Sequence, residues 1–474
     1  MTAVTGTMKH HFLLLLLIPL LLAACDPAPL SVLHPLENGF GLDLGPWVTL
    51  SGTDPYRLCV SWLSCCRERS WLALSIDSTA LTQTLEAQND GVLHHACVPL
   101  EPGQTLFYRP QSGRAPFGDT VFSVRAPDPD QSLRLVILGD VQPVDPVTVA
   151  SATLLFDRVR EEAPDWVVQC GDIVQNGDEA VSWSRLLLLL PRMADSTPLA
   201  LVPGNHDLRH DDGVTWTAGF PQDFVDGLDR RHRVLRVGGA RFFLLDAFYG
   251  PLSGKDLSWL ERELYEAREA GHWRFVFLHG AILSSGMEGS DRDLQRQLIP
   301  LFDRTRVHAV FYGHDHMFEH YEVTYGPWMF SPDHEPDGRP IHYFLTGGGG
   351  AKLEHEYGII DRSTTIANQI LHHRETGESR TFKFRRQAWN PSRVNELADP
   401  AWSPRGLAYY HDCSQDCYQE DSAFWGQRYG ENVLHYLTLE LDEREAVVTA
   451  RYPDGSVMSG PDGQNPQTWR IPRE

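Results

Sequence analysis

Apolar and polar residues follow two different rhythms along the chain. From about Pro46 to Pro127 they alternate: Leu58, Val60 and Trp62 with Cys59 and Ser61, then Leu72, Leu74 and Ile76 with Ala73 and Ser75. A period of two is that of a strand with one buried face. Asn89-Asp90-Gly91 and Glu101-Pro102-Gly103 punctuate these runs as turns. Residues 45–127 are therefore expected to form a small all-β sandwich. After Ser132 the rhythm changes. Leu133–Gly139 reads as a continuous, mainly apolar strand, and Trp166–Gly171, Leu199–Pro203, Phe242–Asp246, Phe275–His279, Val307–Tyr312 and His342–Thr346 read as further strands without alternation. Between them Thr148–Arg160, Ala180–Met193, Leu257–Ala270 and Leu294–Phe302 have helical spacing, with Leu186 to Leu190 read as core. Strands buried on both faces and separated by helices predict an α/β fold over 133–350. Residues 351–430 show no clean period and are read as an irregular insertion. In 431–474, Val433–Leu441 and Ala446–Tyr452 read as strands that complete a sheet edge.

The first residues carry an address. Lys9, His10 and His11 precede an apolar run from Phe12 to Leu22, too short to span a bilayer and of the length of a secretory signal. Leu22-Ala23-Ala24-Cys25 resembles a bacterial lipobox, which implies removal of 1–24, acylation of Cys25 and export to the periplasm or cell surface with a lipid anchor in the cell membrane. Asp26 resembles an inner-membrane retention signal. Export permits disulfides. Cys59, Cys65, Cys66 and Cys97 allow three full pairings, Cys413 and Cys417 can close a small loop, and Cys170 lies in an apolar run as a core thiol. Leu100 to Arg109 and Phe122 to Pro127 resemble the late strands of fibronectin type III-like domains, although Leu106 stands where those domains often have a corner tyrosine.

Composition narrows the classes. The chain has 474 residues, 42% hydrophobic and 22% charged, which is ordinary for a globular protein of two or three domains. Its 41 Lys+Arg against 63 Asp+Glu give a net charge of −22, which excludes a general nucleic-acid coat. The charge does not argue against a phosphate substrate, because a cleft holding cations is locally positive inside an acidic protein.

Polar groups follow the apolar strands directly: Gly139-Asp140-Val141-Gln142, Gly171-Asp172-Ile173-Val174-Gln175, Gly204-Asn205-His206-Asp207, His279-Gly280 and Gly313-His314-Asp315-His316. In open α/β sheets the carboxyl ends of strands share one rim, where ligands bind. Any one of these groups alone is more often a turn than a site. Together they bring oxygen and imidazole donors without thiolate, a set that suits Zn, Mn or Fe.

This ordered set resembles the calcineurin-like metallophosphoesterase superfamily over roughly Leu133 to Gly350, and with the preceding β-region it resembles the purple acid phosphatase layout. The resemblance implies a four-layer αββα sandwich and two divalent or trivalent metal ions. It implies Asp140, Gln142, Asp172 and His316 on one ion and Asp172, Asn205, His279 and His314 on the other, with Asp172 bridging. A metal-bound hydroxide would attack the phosphorus of a small phosphomonoester or phosphodiester. His206 would assist the leaving group, and Asp207 would either orient His206 or cap the following turn.

Departures qualify the resemblance. Gln142 stands where the superfamily commonly has His, and a neutral amide is a weaker donor. Gln175 stands where purple acid phosphatases have a tyrosine, so no iron–tyrosinate colour is expected. Gly280 replaces a polar residue frequent in relatives. A second expectation, from another class, is a catalytically weak binding lipoprotein built on the same fold. Weaker candidates are Gly347-Gly348-Gly349-Gly350 as a phosphate cradle or strand exit, the His210-Asp211-Asp212 loop, and the basic Arg380, Lys383, Arg385 and Arg386. His320, His372, His373 and His411 have no assigned role.

Overall fold

The computed structural model describes residues 44–53, 56–64, 69–113, 115–116, 118–248, 250–284, 288–323, 339–353, 367–372, 379–384, 427–459 and 466–473. The signal segment with Cys25, and Cys65, Cys66, His373, Arg385, Arg386, His411, Cys413 and Cys417, lie outside the described residues.

An all-β region comes first: β1 (Leu44–Thr53), β2 (Tyr56–Leu63), β3 (Ser70–Ser75), β4 (Gln83–Glu86), β5 (Gln88–Asp90), β6 (Leu93–Leu100), β7 (Thr105–Ser112), β8 (Ala115–Pro116) and β9 (Phe122–Arg125). The α/β portion follows with β10 (Leu133–Leu138), α1 (Pro146–Glu162), β11 (Trp166–Cys170), α2 (Ala180–Leu189), α3 (Pro191–Ala194), β12 (Leu199–Val202) and α4 (Val214–Gly219). It continues through β13 (Arg233–Val237), β14 (Ala240–Leu244), α5 (Gly254–Glu269), β15 (Trp273–Phe277), α6 (Arg292–Arg304), β16 (Ala309–Tyr312), β17 (Phe318–Val323) and β18 (Ile341–Thr346). The remaining strands are β19 (Ala367–His372), β20 (Ser379–Phe384), β21 (Gln427–Glu431), β22 (Tyr436–Leu441), β23 (Glu445–Arg451) and β24 (Thr468–Pro472).

Two large sheets dominate. One has ten strands in the order β24-β23-β22-β10-β11-β12-β1-β2-β6-β5, the other seven in the order β13-β14-β15-β16-β18-β17-β21. Within them β10, β11 and β12 run parallel, as do β14, β15, β16 and β18. The unalternating strands have a simple cause. Leu135 and Ile137 of β10 point into a core between the two sheets, where they join Val168, Val202 and the phenylalanines Phe242, Phe275, Phe277, Phe311 and Phe344. Val136 and Leu138 of the same strand point the other way, onto Leu155, Phe156 and Val159 of α1 and Leu186 of α2. A third core seats Leu260 and Leu264 of α5 and Leu298 and Phe302 of α6 on Val276 and Val310. Each fully buried large apolar side chain contributes about 1.5–3 kcal/mol. Asp145 caps α1 in a reciprocal box with Thr148, with Pro146 beginning the helix.

Some elements differ from the expectation, while the cysteines of the described residues agree with it. β1 joins the catalytic sheet, parallel to β12 with Thr49 opposite Leu199, so the all-β region is continuous with the ten-stranded sheet. Small polar residues on these strands do not mark an exposed face: Thr49, Ser51 and Ser61 are all buried. Cys59 and Cys97 are cross-strand neighbours on β2 and β6 and form a disulfide, and Cys170 is a buried free thiol. The run Ala180–Met193 is broken into α2 and α3 at Pro191, which has no N–H to continue the first helix. Within 351–430, β19 and β20 pair as a hairpin, and β21 begins there and joins β17.

Candidate metal centre

The parallel strands β10, β11, β12, β15, β16 and β18 deliver their carboxyl ends to one rim, and the loops beyond them hold every expected ligand among residues 140–316. Their backbone is unusual. Asp140, Gln142, Asp172 and His314 take positive φ of 57°, 34°, 55° and 82°. Non-glycine residues in this region cost energy and cluster where a site over-determines them. Gly204 explains part of the closeness: a Cβ there would stand 2.1 Å from Oδ1 of Asp172.

Asp172 is the hub. Its Oδ1 accepts from the His206 backbone N–H at 2.8 Å, and its Oδ2 accepts from Nε2 of Gln142 at 3.0 Å and lies 3.3 Å from Nε2 of His279. His279 Nε2 is 3.0 Å from Oδ1 of Asn205, and the His279 and His314 rings meet edge to face at 5.2 Å. Asp172, His279 and His314 present ligand atoms within 4.8 Å of one another. On the other side, Asp140 accepts the His314 backbone N–H at 3.0 Å and lies 3.5 Å from Nε2 of His316.

Three imidazoles are oriented by one device. Nδ1–H of His279 donates to the Cys170 carbonyl at 2.9 Å, that of His316 to the Lys352 carbonyl at 2.6 Å, and that of His206 to the Gln175 carbonyl at 2.6 Å. A carbonyl can only accept, so Nδ1 carries the hydrogen and Nε2 is turned toward the carboxylates. This is how metal-ligating histidines are commonly held.

The electrostatics agree. Burial alone would raise the Asp172 carboxyl, but His279, then His206 and His314, hold it well below the usual range. Burial would lower His279, yet Asp172 and then Asp140 push it well above its ordinary value. For His316, burial is likewise outweighed, by its contact with Asp140, and its pKa rises to about 9. Burial lowers His206 and His314. The negative field that retains protons on His279 and His316 would equally retain cations, and a metal displaces such protons as it binds. Neutral imidazoles and anionic carboxylates fit Zn, Mn or Fe, so the residues present fit the two ions.

Two expectations gain detail from the geometry. The Asp207 carboxylate does not orient the His206 ring. It is fully buried and accepts from the backbone N–H groups of Asp172, Val174 and Gly204 at 2.8, 3.1 and 2.9 Å. Burial, then the charge of Asp172, pushes it up to about 8. It ties the β11 and β12 loops together, and the Gln175 carbonyl fills the orienting role. Gln142 reaches the centre, but the end it turns to Asp172 is its amide nitrogen, a donor and not a metal ligand; its oxygen faces an ion only after the amide turns over.

The sequence reading did not single out Arg209. Its guanidinium donates to Asn176 Oδ1 at 3.0 Å and stands 3.3 Å from Nε2 of His206. Nothing but its position three residues after His206 signals it. The Gly347–Gly350 loop is a strand exit: the Gly347 and Gly349 amides donate to Met317 and Gly139, and a Cβ on Gly349 would stand 2.1 Å from the Gly139 carbonyl oxygen. His210 and Asp212 are exposed, and Asp211 caps the turn into α4 through the Gly213 and Thr215 amides.

A double-sheet fold whose strand ends gather Asp, Asn and His around a shared carboxylate defines a metal-dependent phosphoesterase. Residues 133–318 match the calcineurin-like phosphoesterase family. Purple acid phosphatase 4 from Arabidopsis thaliana is 24% identical over 258 residues, 49% of this chain and 72% of the relative. The structure of the purple acid phosphatase PPD1 from yellow lupin (Lupinus luteus) seeds superposes with a TM-score of 0.62 at 14% identity, covering 91% of this chain and 75% of that one. PhoD superposes with a TM-score of 0.57 at 10% identity, covering 91% and 90%. These structures share the fold, including an all-β region ahead of the catalytic sheets.

Proposed function

We propose that the chain hydrolyses a phosphomonoester or phosphodiester outside the cytoplasm, held at the membrane by lipid on Cys25. The observation that carries the catalytic reading is the convergence of Nε2 of His279 and His316, each fixed through Nδ1, on the buried Asp172 and Asp140. One ion would be held by Asp140, Gln142, Asp172 and His316, the other by Asp172, Asn205, His279 and His314. Two such ions clamp a phosphoryl group and lower the pKa of a bound water.

The chain's own residues supply the rest. Asp172 would serve both ions, because its Oδ2 lies 3.0 Å from Nε2 of Gln142 of one set and 3.3 Å from Nε2 of His279 of the other. His206, held by the Gln175 carbonyl with Nε2 4.0 Å from Oδ2 of Asp172, would give a proton to the leaving oxygen from its imidazolium form, in which Nδ1–H stays on Gln175 and Nε2 carries the second proton. Arg209 rests against His206, where its guanidinium would favour phosphoryl oxygens, which are stronger acceptors than a ring nitrogen. The full chain should cleave aryl phosphate monoesters or diesters with Mn, Zn or Fe present; no cleavage with any of them overturns the reading. The inward-facing amide nitrogen of Gln142 favours a second reading, a weakly catalytic binding lipoprotein. That reading predicts metal binding without turnover.

Export is supported by the apolar leader, the Leu-Ala-Ala-Cys sequence and the Cys59–Cys97 disulfide, a bond of oxidising compartments. Among the described residues no helix is long and apolar enough to cross a membrane. Cys25→Ser should move the protein from the membrane to the soluble fraction with altered mobility; unchanged membrane association and mobility exclude the lipid anchor.

A further inference from the structure

A second cluster of metal-binding side chains lies below the catalytic rim, on β17 and β18. These strands are antiparallel, with Glu322 opposite His342 and His320 two residues from Glu322 on the same face. Nε2 of His320 is 3.1 Å from Nδ1 of His342, and the three residues offer ligand atoms within 4.8 Å of one another. His320 is fully buried, His342 is 7% exposed and Glu322 is half-buried. The walls are aromatic: the His320 ring centre is 4.2 Å from Trp469 and 4.7 Å from Phe344. His342 stands four residues before Thr346, the end of β18, or about 13 Å along an extended strand.

The geometry points to a zinc site formed by His320, His342 and Glu322, separate from the catalytic centre. Two imidazole nitrogens bound to one tetrahedral zinc at about 2.0–2.1 Å lie about 3.3 Å apart, close to the separation already present. Two imidazoles with one carboxylate form a ligand set suited to zinc. Two of the donors are set by strand backbone, and the aromatic walls limit ring movement, so little reorganisation opposes binding. The site would act as a staple. β17 begins directly after the Gly313–His316 loop, and β18 leads into Gly347, whose amide bonds Met317. Zinc across β17 and β18 therefore fixes the two strands that frame His314 and His316.

The site stands independently of the phosphoesterase reading, and its test keeps the two apart. The full chain, stripped of metal, is titrated with zinc alone, and bound zinc is counted with melting temperature followed in parallel. Wild type should bind about one zinc per chain more than the His320→Gln/His342→Gln variant. Glu322→Gln, a same-size change at a half-buried position, should weaken this zinc by about tenfold or more and reduce the zinc-induced rise in melting temperature. Asp172→Asn, which addresses only the catalytic centre, should leave this zinc in place. Equal zinc affinity and count in wild type and folded Glu322→Gln overturn the site, as does an Asp172→Asn protein that folds and binds no zinc. If the double-histidine variant does not fold, the Glu322→Gln comparison decides.

Discussion

Asp172→Asn is expected to empty the catalytic centre of metal and lower kcat/KM by about a thousandfold or more. A metal clamp supplies several kcal/mol of transition-state stabilisation, and each 1.4 kcal/mol is a factor of ten. Asp172 is the residue on which both expected ligand sets depend, because its Oδ2 faces Gln142 of one set and His279 of the other. Asparagine keeps the size of the side chain but removes the charge. It replaces an oxygen that only accepts with a group that donates toward His279. Metal counting on the folded variant, with hydrolysis of an aryl phosphate, checks the outcome. Retained metal with normal turnover would mean that Asp172 is structural only.

His206→Ala is expected to lower kcat by about 10²–10⁴ while leaving the metal content unchanged, the usual range for a positioned proton donor. His206 contributes its backbone N–H to Asp172, which alanine preserves, whereas its ring is not among the expected ligands. The loss should therefore separate by leaving group. An alkyl phosphate, whose alkoxide leaves poorly without a proton, should lose far more than a nitrophenyl ester, whose phenolate leaves readily. An equal loss on both substrates, or loss of metal, would assign His206 to positioning instead.

The rim was legible in the sequence because ligands of this kind follow strands without an intervening segment. A strand buried on both faces reads as a largely apolar run, so Leu133–Gly139 and Trp166–Gly171 announce where Asp140 and Asp172 must stand. Other features leave no such trace. Gln175 and Lys352 act through backbone carbonyls, which every residue has. The role of Asp207 turned on direction: its carboxylate faces the Asp172 and Gly204 amides, and spacing cannot say which way a side chain two positions from Asn205 points. The merging of β1 with the catalytic sheet was hidden because buried Thr49 and Ser61 look like the exposed half of an alternating strand. His320, Glu322 and His342 meet only through strand register, with nineteen residues between Glu322 and His342 in the chain.

The central claim is that this rim is a metal-dependent phosphoesterase centre, and metal removal and return test it most directly. The full chain should be stripped with a chelator, assayed on aryl phosphate mono- and diesters, and assayed again with Mn, Zn or Fe restored singly. The account predicts a loss of about a thousandfold or more on stripping and recovery with at least one of the metals. Hydrolysis that continues undiminished in metal-free protein, or that none of the metals restores, would contradict it.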